Sequence, residues 1–120
     1  MQKQGLWLRP RDPLLFLADI DTAVGRILEY TAGGEAEFKS STLIQDAVVR
    51  QLEIFGEAVR NLDDHLLSQE ASIPWSKVVG MRHILAHGYY QVDSGVVWGT
   101  VSSDLVELRA AVQRLSRTLE

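Results

Sequence analysis

The sequence predicts an all-α fold, an antiparallel up-and-down four-helix bundle with room for a short extra helix. Three observations predict it. Four segments repeat apolar residues at helical spacing. No segment alternates apolar and polar residues as a half-buried strand does. The connections between the four segments are short and carry Gly, Pro, Ser and Asp. A chain of 120 residues fits one domain, here taken as residues 1–120.

The first helix is expected from Pro13 to Thr31. Phe16, Ile20, Val24 and Ile27 share a stripe, Pro13 suits a first turn, and Gly33-Gly34 ends the segment. The second starts near Thr42, where Thr42-x-x-Gln45 has the form of a capping box. Its stripe is Ile44, Val48, Leu52, Phe55, Val59, Leu62 and Leu66. A parallel stripe is charged: Asp46, Arg50, Glu53, Glu57 and Arg60. On spacing alone this is a solvated face with i,i+4 pairs. Pro74 opens the third helix with Ser72 as its cap, and Gly88 is its natural stop. Gln91 to Thr100 is expected as a loop, in which Val96, Val97 and Trp98 either extend or begin the next helix. The last helix carries Val101, Leu105, Leu108, Val112, Leu115 and Leu119, with Asp104-x-x-Glu107 as a weak capping box. Ala47, Ile54 and Ala58 lie outside the main stripes, which points to a homodimer seam.

Composition narrows the function. Twelve Lys+Arg against sixteen Asp+Glu give a net charge of −4, so a protein that coats nucleic acid non-specifically is not expected. The absence of cysteine excludes a disulfide scaffold, a zinc ribbon, an iron–sulfur centre and a thiol enzyme. The longest apolar run, Leu14 to Ala18, is too short to span a bilayer, and no secretory signal is evident. A soluble cytoplasmic domain without a membrane partner is the expectation.

The chemistry concentrates in Arg82-His83-Ile84-Leu85-Ala86-His87-Gly88-Tyr89-Tyr90. Arg82 falls on the apolar stripe between Val78 and Leu85, where a guanidinium needs a carboxylate, a phosphate or a route to water. Glu57 and Asp46 are candidate carboxylates, and an Arg–Glu pair that fixes helix register is the plainer account. His83 and His87, four apart, share a helical face at chelating distance. No neighbouring cysteine or carboxylate completes a ligand set, so no metal and no cofactor are assigned. Histidine also moves protons near neutral pH, and arginine holds phosphate through paired hydrogen bonds. Together they suffice for metal-free RNA cleavage by the adjacent 2′-hydroxyl. Arg82 and His87 stand about 140° apart on an ideal helix. Hence either the helix distorts near Gly88 or two copies of the segment meet, a second reason to expect a dimer. Tyr89 is either an amphipathic residue at a bundle end or an exposed phenol beside a phosphate site. His65, after Asp63-Asp64, suits the C-terminal end of the second helix, and Trp75 and Trp98 suit core or interface anchors.

At these residues the chain resembles the HepT-type toxins of the HEPN superfamily. Arg-x4-His-x-Tyr, here Arg82, His87 and Tyr89, is similar to their signature. Ile54-Phe55-Gly56-Glu57-Ala58, Ile73-Pro74-Trp75, Gly80-Met81-Arg82, Val92-Asp93 and Val97-Trp98 resemble its flanks, in order, over nearly the whole chain. The chain departs at His83, where many relatives carry Asn.

The resemblance implies a dimer with facing motifs and a metal-independent endoribonuclease acting as the toxin of a toxin–antitoxin pair. Arg82 and His87 would be catalytic, with His83, Glu57, Asp46 and Arg50 lining or supporting the site. The implied partners are an RNA substrate, tRNA or mRNA, and a minimal nucleotidyltransferase antitoxin. The antitoxin would silence the toxin by transferring AMP to Tyr89. Two other readings stay open on the residues: a non-catalytic module binding a nucleotide or the nucleotidyltransferase, and a metal-dependent phosphohydrolase using His83 and His87.

Overall fold

Asp12 starts the first helix, α1 (Pro13–Tyr30), because its carboxylate accepts the Leu14 N–H at 2.9 Å and Pro13 needs no partner there. The computed structural model describes residues 12–88 and 94–120, and the side chains of these except at 82–88. α1 closes at Thr31, whose hydroxyl donates back to the Ile27 carbonyl at 2.8 Å. Gly34 then turns the chain at φ +95°, a conformation that a side chain disfavours. A short helix follows, α2 (Glu35–Ser40), the extra helix for which the sequence left room.

α3 (Thr42–Arg60) is capped one residue earlier than Thr42-x-x-Gln45 suggests. Ser41 supplies the oxygen, accepting the Ile44 N–H at 3.1 Å. Gln45 instead turns its amide back to α2, donating to the carbonyls of Phe38 at 2.9 Å and Lys39 at 3.1 Å. α3 also ends earlier than expected, at Arg60 rather than near Leu66. Asp63 begins a separate turn, α4 (Asp64–Leu67), by accepting the His65 N–H, and a 3₁₀ turn (Ser68–Glu70) continues it. His65 is therefore exposed in α4 and not at the end of the second long helix. The apolar stripe survives the break, for Leu62, Leu66 and Leu67 are all buried.

α5 (Trp75–Gly88) begins where the Pro74 carbonyl accepts the Val78 N–H at 3.2 Å. Ser72 lies upstream of that cap position and lines a cleft instead. Trp75 is half-buried and its indole N–H donates to the Leu67 and Glu70 carbonyls, each at 3.0 Å, which locks the 64–70 turn to the head of α5. The stretch expected as a loop holds α6 (Ser94–Ser103), with Val97 and Val101 buried. Trp98 packs against Phe38 of α2 in a tilted ring contact, centroids 5.4 Å apart. The Asp93-Ser94-Gly95 turn and Val92-Asp93 fall wholly or partly outside the described residues. α7 (Leu105–Leu119) follows after Asp104, whose side chain makes no capping hydrogen bond, so the suggested Asp104-x-x-Glu107 box does not form.

The long helices pack as neighbours in the order α7, α1, α3, α5. Leu17, Ile20, Val24 and Ile27 of α1 meet Val48, Leu52, Phe55 and Val59 of α3 in the core, with Leu105, Val112 and Leu115 from α7. Phe16 leaves its expected core place to Leu17 and is only half-buried. Ala58 is buried within the protomer, so it gives no support to a dimer seam, while Ala47 and Ile54 are half-buried. α5 and α7 leave a cleft of about 300 Å³ floored by Ile73, Val78 and Leu108. Among the described residues no helix is long and apolar enough to cross a membrane.

Two charge pairs hold α7 in place. Arg109 Nε donates to Asp21 Oδ1 at 2.9 Å, and Gln113 Nε2 donates to the same oxygen at 3.2 Å. Arg114 grips Glu70 with both arms, at 2.9 and 2.7 Å. The Arg109 hydrogen bond holds the Asp21 carboxyl below its ordinary pKa against the opposing effect of burial, and Arg114 does the same for Glu70. A carboxylate with a depressed folded pKa contributes stability that is full above its unfolded pKa. That contribution is lost as pH falls through the folded value. The urea midpoint is therefore expected to drop as pH falls below about 4. Asp21→Asn combined with Glu70→Gln is expected to flatten that drop; an unchanged acid limb in the double variant would show that the pairs do not set it.

Candidate functional site

Arg82, His83 and His87 all belong to α5, which is helical without a break from Trp75 to Gly88. A regular helix places positions 82 and 87 about 140° apart around its axis and positions 83 and 87 about 40° apart. Of the two routes to a shared phosphate, a helix distorted before residue 88 is not what the backbone adopts. The side chains of Arg82, His83 and His87 and the whole of Tyr89 lie outside the described residues.

The neighbouring surface is described in full. α3 packs between α1 and α5. On its outer flank toward α1 runs a groove of about 330 Å³, lined by Phe16, Asp19, Arg50, Glu53, Ile54, Glu57, Ala58 and Asn61. Arg50 and Glu57, both singled out from the sequence, meet in this groove. Asp46 does not reach it and is exposed one turn earlier on α3.

The helical period explains the groove. Arg50, Glu53, Glu57 and Asn61 recur at three- and four-residue steps, so they form one ridge of α3. Phe16 and Asp19, one turn apart on α1, form the opposite wall. The sequence pattern does not mark these two residues as a pair, since Phe16 belongs to the apolar stripe of α1 and Asp19 to none. Only the packing angle of α1 on α3 turns them into a wall.

Glu57 is held where the ridge ends. Its Oε2 accepts from Arg60 Nη2 at 3.1 Å and from Asn61 Nδ2 at 3.2 Å. The Asn61 amide also donates to the Glu57 backbone carbonyl at 2.8 Å, capping the end of α3. Among the described residues the groove is lined by three carboxylates, Asp19, Glu53 and Glu57, and by the Arg50 guanidinium, with the Arg60 guanidinium on Glu57 beside it. Among the described residues no three His, Asp or Glu side chains converge to hold a metal ion.

Known proteins bear on this arrangement. The family described as Ribonuclease HepT-like matches residues 20–115, from within α1 through all of α5 and into α7. A candidate RNase of Methanocaldococcus jannaschii is 34% identical over 104 residues, covering 86% of this chain and 95% of that one. A probable ribonuclease HepT of Thermococcus cleftensis is 36% identical over 103 residues, covering 85% and 94%. A longer M. jannaschii protein, named as a gamma-glutamylcyclotransferase and candidate RNase, is 34% identical over 111 residues. That match takes in 92% of this chain and only 50% of the relative. No solved structure matches the chain.

Asn61→Ala removes both the cap of α3 and a partner of Glu57. It is expected to lower unfolding free energy by roughly 1 kcal/mol, measured by urea titration. Asp46→Ala, outside the groove, is expected to stay within about 0.5 kcal/mol of the parent. Equal losses in the two variants would mean that the Asn61 bonds contribute nothing specific.

Proposed function

The chain belongs to the HepT-like ribonuclease family, and from that premise we propose that it is a metal-independent endoribonuclease acting as one domain. The observation that carries the reading is the family match across residues 20–115, which includes the helix bearing Arg82 and His87. No cofactor is required by this chemistry.

In the proposed step His87 acts on a 2′-hydroxyl as general base. It takes the proton while the oxygen attacks the adjacent phosphorus. The phosphorus–5′-oxygen bond breaks, the leaving oxygen takes up a proton, and a 2′,3′-cyclic phosphate remains. Arg82 carries the phosphoryl oxygens through the charge that builds on them. His83, Arg50, Glu57 and Asp46 are supporting residues in this scheme. Glu57 and Arg50 are the better placed pair, because Asp46 stands apart from them.

An unbroken α5 favours two copies of the chain contributing to one cleft, because one helix does not aim positions 82 and 87 at a single phosphate. We assign the protein to the toxin side of a toxin–antitoxin pair whose partner is a minimal nucleotidyltransferase. AMP transferred to Tyr89 would place bulk and negative charge beside Arg82 and close the phosphate site.

Protein whose intact mass shows no adduct on Tyr89 is expected to cut RNA in EDTA. It is expected to leave an otherwise identical strand with 2′-deoxy linkages uncut. Arg82→Ala and His87→Ala are each expected to lower cleavage by about a hundredfold or more. Absence of cleavage by the unmodified wild type on total RNA and tRNA would favour a non-catalytic module that binds the nucleotidyltransferase. Cleavage that stops in EDTA would favour metal chemistry at His83 and His87.

A further inference from the structure

The long helices pack in the row α7, α1, α3, α5, so α5 and α7 stand at its two ends. Where a closed bundle would join them, a cleft of about 300 Å³ opens instead. Its floor is apolar, formed by Ile73, Val78 and Leu108, and its walls carry charges of opposite sign. Lys77 stands on the α5 wall, and Asp104 and Glu107 on the wall made by α6 and α7. All three are exposed, and among the described residues none of them forms an ion pair. Arg114 feels Glu107 only at a distance. Among the described residues no hydrogen bond joins the two walls. Val96 extends the α6 wall: it lies one turn before Thr100, which lines the cleft, and it is 68% exposed. Along the other wall the cleft follows α5 as far as Met81, the residue before Arg82. Whatever occupies the cleft therefore lies against the helix that carries Arg82 and His87.

A positive wall facing a negative one makes this patch complementary to itself. Consider a two-fold axis that runs along the cleft, parallel to α5. Rotation about it lays the Lys77 wall of each copy against the Asp104–Glu107 wall of the other. The same rotation sets Val96 of each copy against the other copy's α5. It also leaves the two α5 helices pointing the same way, with both motif turns at one end of the interface. We propose that this cleft is the interface between two copies of the chain, closed by Val96 over the apolar floor and matched by Lys77 with Asp104 and Glu107. The assignment of the surface stands on the cleft itself. Its consequence for cleavage, two motif helices serving one site, rests on the ribonuclease reading.

Sedimentation equilibrium of the full chain over a dilution series tests the surface. The wild type is expected to sediment as a dimer. Val96→Glu and Lys77→Glu alter exposed side chains and keep the fold, and each is expected to raise the dimer dissociation constant about tenfold or more. The double variant Asp104→Lys with Glu107→Lys is expected to do the same. An equimolar mixture of Lys77→Glu with that double variant is expected to recover the dimer, because both wall contacts of the mixed pair then join opposite charges. A role confined within one chain is not complemented in this way. Leu43→Glu, at a residue 79% exposed on α3 and outside the cleft, is expected to leave the dimer intact. A monomeric wild type would overturn the proposal. So would a dimer that Val96→Glu and Lys77→Glu leave intact, or a mixture that stays monomeric. Where the wild type cleaves RNA, the single variants are expected to lose activity in step with the dimer, and the mixture to regain it. A wild type that dimerises and responds to the variants as expected but cuts no RNA would sink the ribonuclease reading and leave the interface supported.

Discussion

α3 has one face committed to burial over its whole length, and the other helices arrange themselves around that commitment. Val48, Leu52, Phe55 and Val59 are each 1% exposed or less. Removing so much apolar surface from water is worth on the order of 1.5–3 kcal/mol per side chain, far more than any one surface charge pair in the molecule. α1 covers one side of the strip and α5 the other, while α7 closes over α1. The charge pairs of α7 refine this order rather than create it. Arg109–Asp21 is about one-third exposed on both sides, so solvent screens it. Glu70, at 15% exposed, gives Arg114 a partner less open to screening.

The same helix organises the surroundings of the proposed site. Its outer ridge bears Arg50 and Glu57, its flank supports α5 with the Arg82–His87 motif, and its first turn reaches back through Gln45 to α2. A rigid scaffold with polar residues displayed along one edge suits a reaction that needs a proton acceptor and a phosphate ligand held at fixed separation. The net charge of −4 adds a constraint. Bulk attraction for RNA is weak in such a protein, so recognition must come from a few well-placed cations and from shape.

Sequence periodicity was a reliable guide wherever one helix face met a continuous core. Most of each stripe is buried as its spacing predicts; Phe16 of α1 and Ile44 of α3 are half-buried, Leu119 at the end of α7 is exposed, and Val101, expected in the last helix, is buried in α6. It misled where a local polar bond competed with the stripe. Leu66 keeps the apolar rhythm of α3, yet Asp63 captures the His65 N–H and starts a new turn. Thr42-x-x-Gln45 has the letters of a capping box, yet Ser41 is nearer the first free N–H and Gln45 finds better acceptors in α2. Ala58 looked surplus to the core because the stripe was drawn too narrowly; α1 covers it. Val96 to Trp98 left helix and extended chain equally open. Phe38, distant in sequence, supplies the ring that seats Trp98.

By itself the sequence determined the helical class, the order and approximate extent of the four long helices, and a cluster of Arg, His and Tyr typical of phosphate chemistry. These follow from local rules, since the period of apolar residues and the identity of side chains require no knowledge of neighbours far along the chain. Only the tertiary structure decided which residues share a surface. It joined Arg50 and Glu57 to Asp19 and Phe16, left Asp46 outside, and tied α6 to α3 through α2. Those outcomes depend on how helices separated by tens of residues cross and settle. Packing angles are set by the fit of whole faces, which no single stretch of sequence contains.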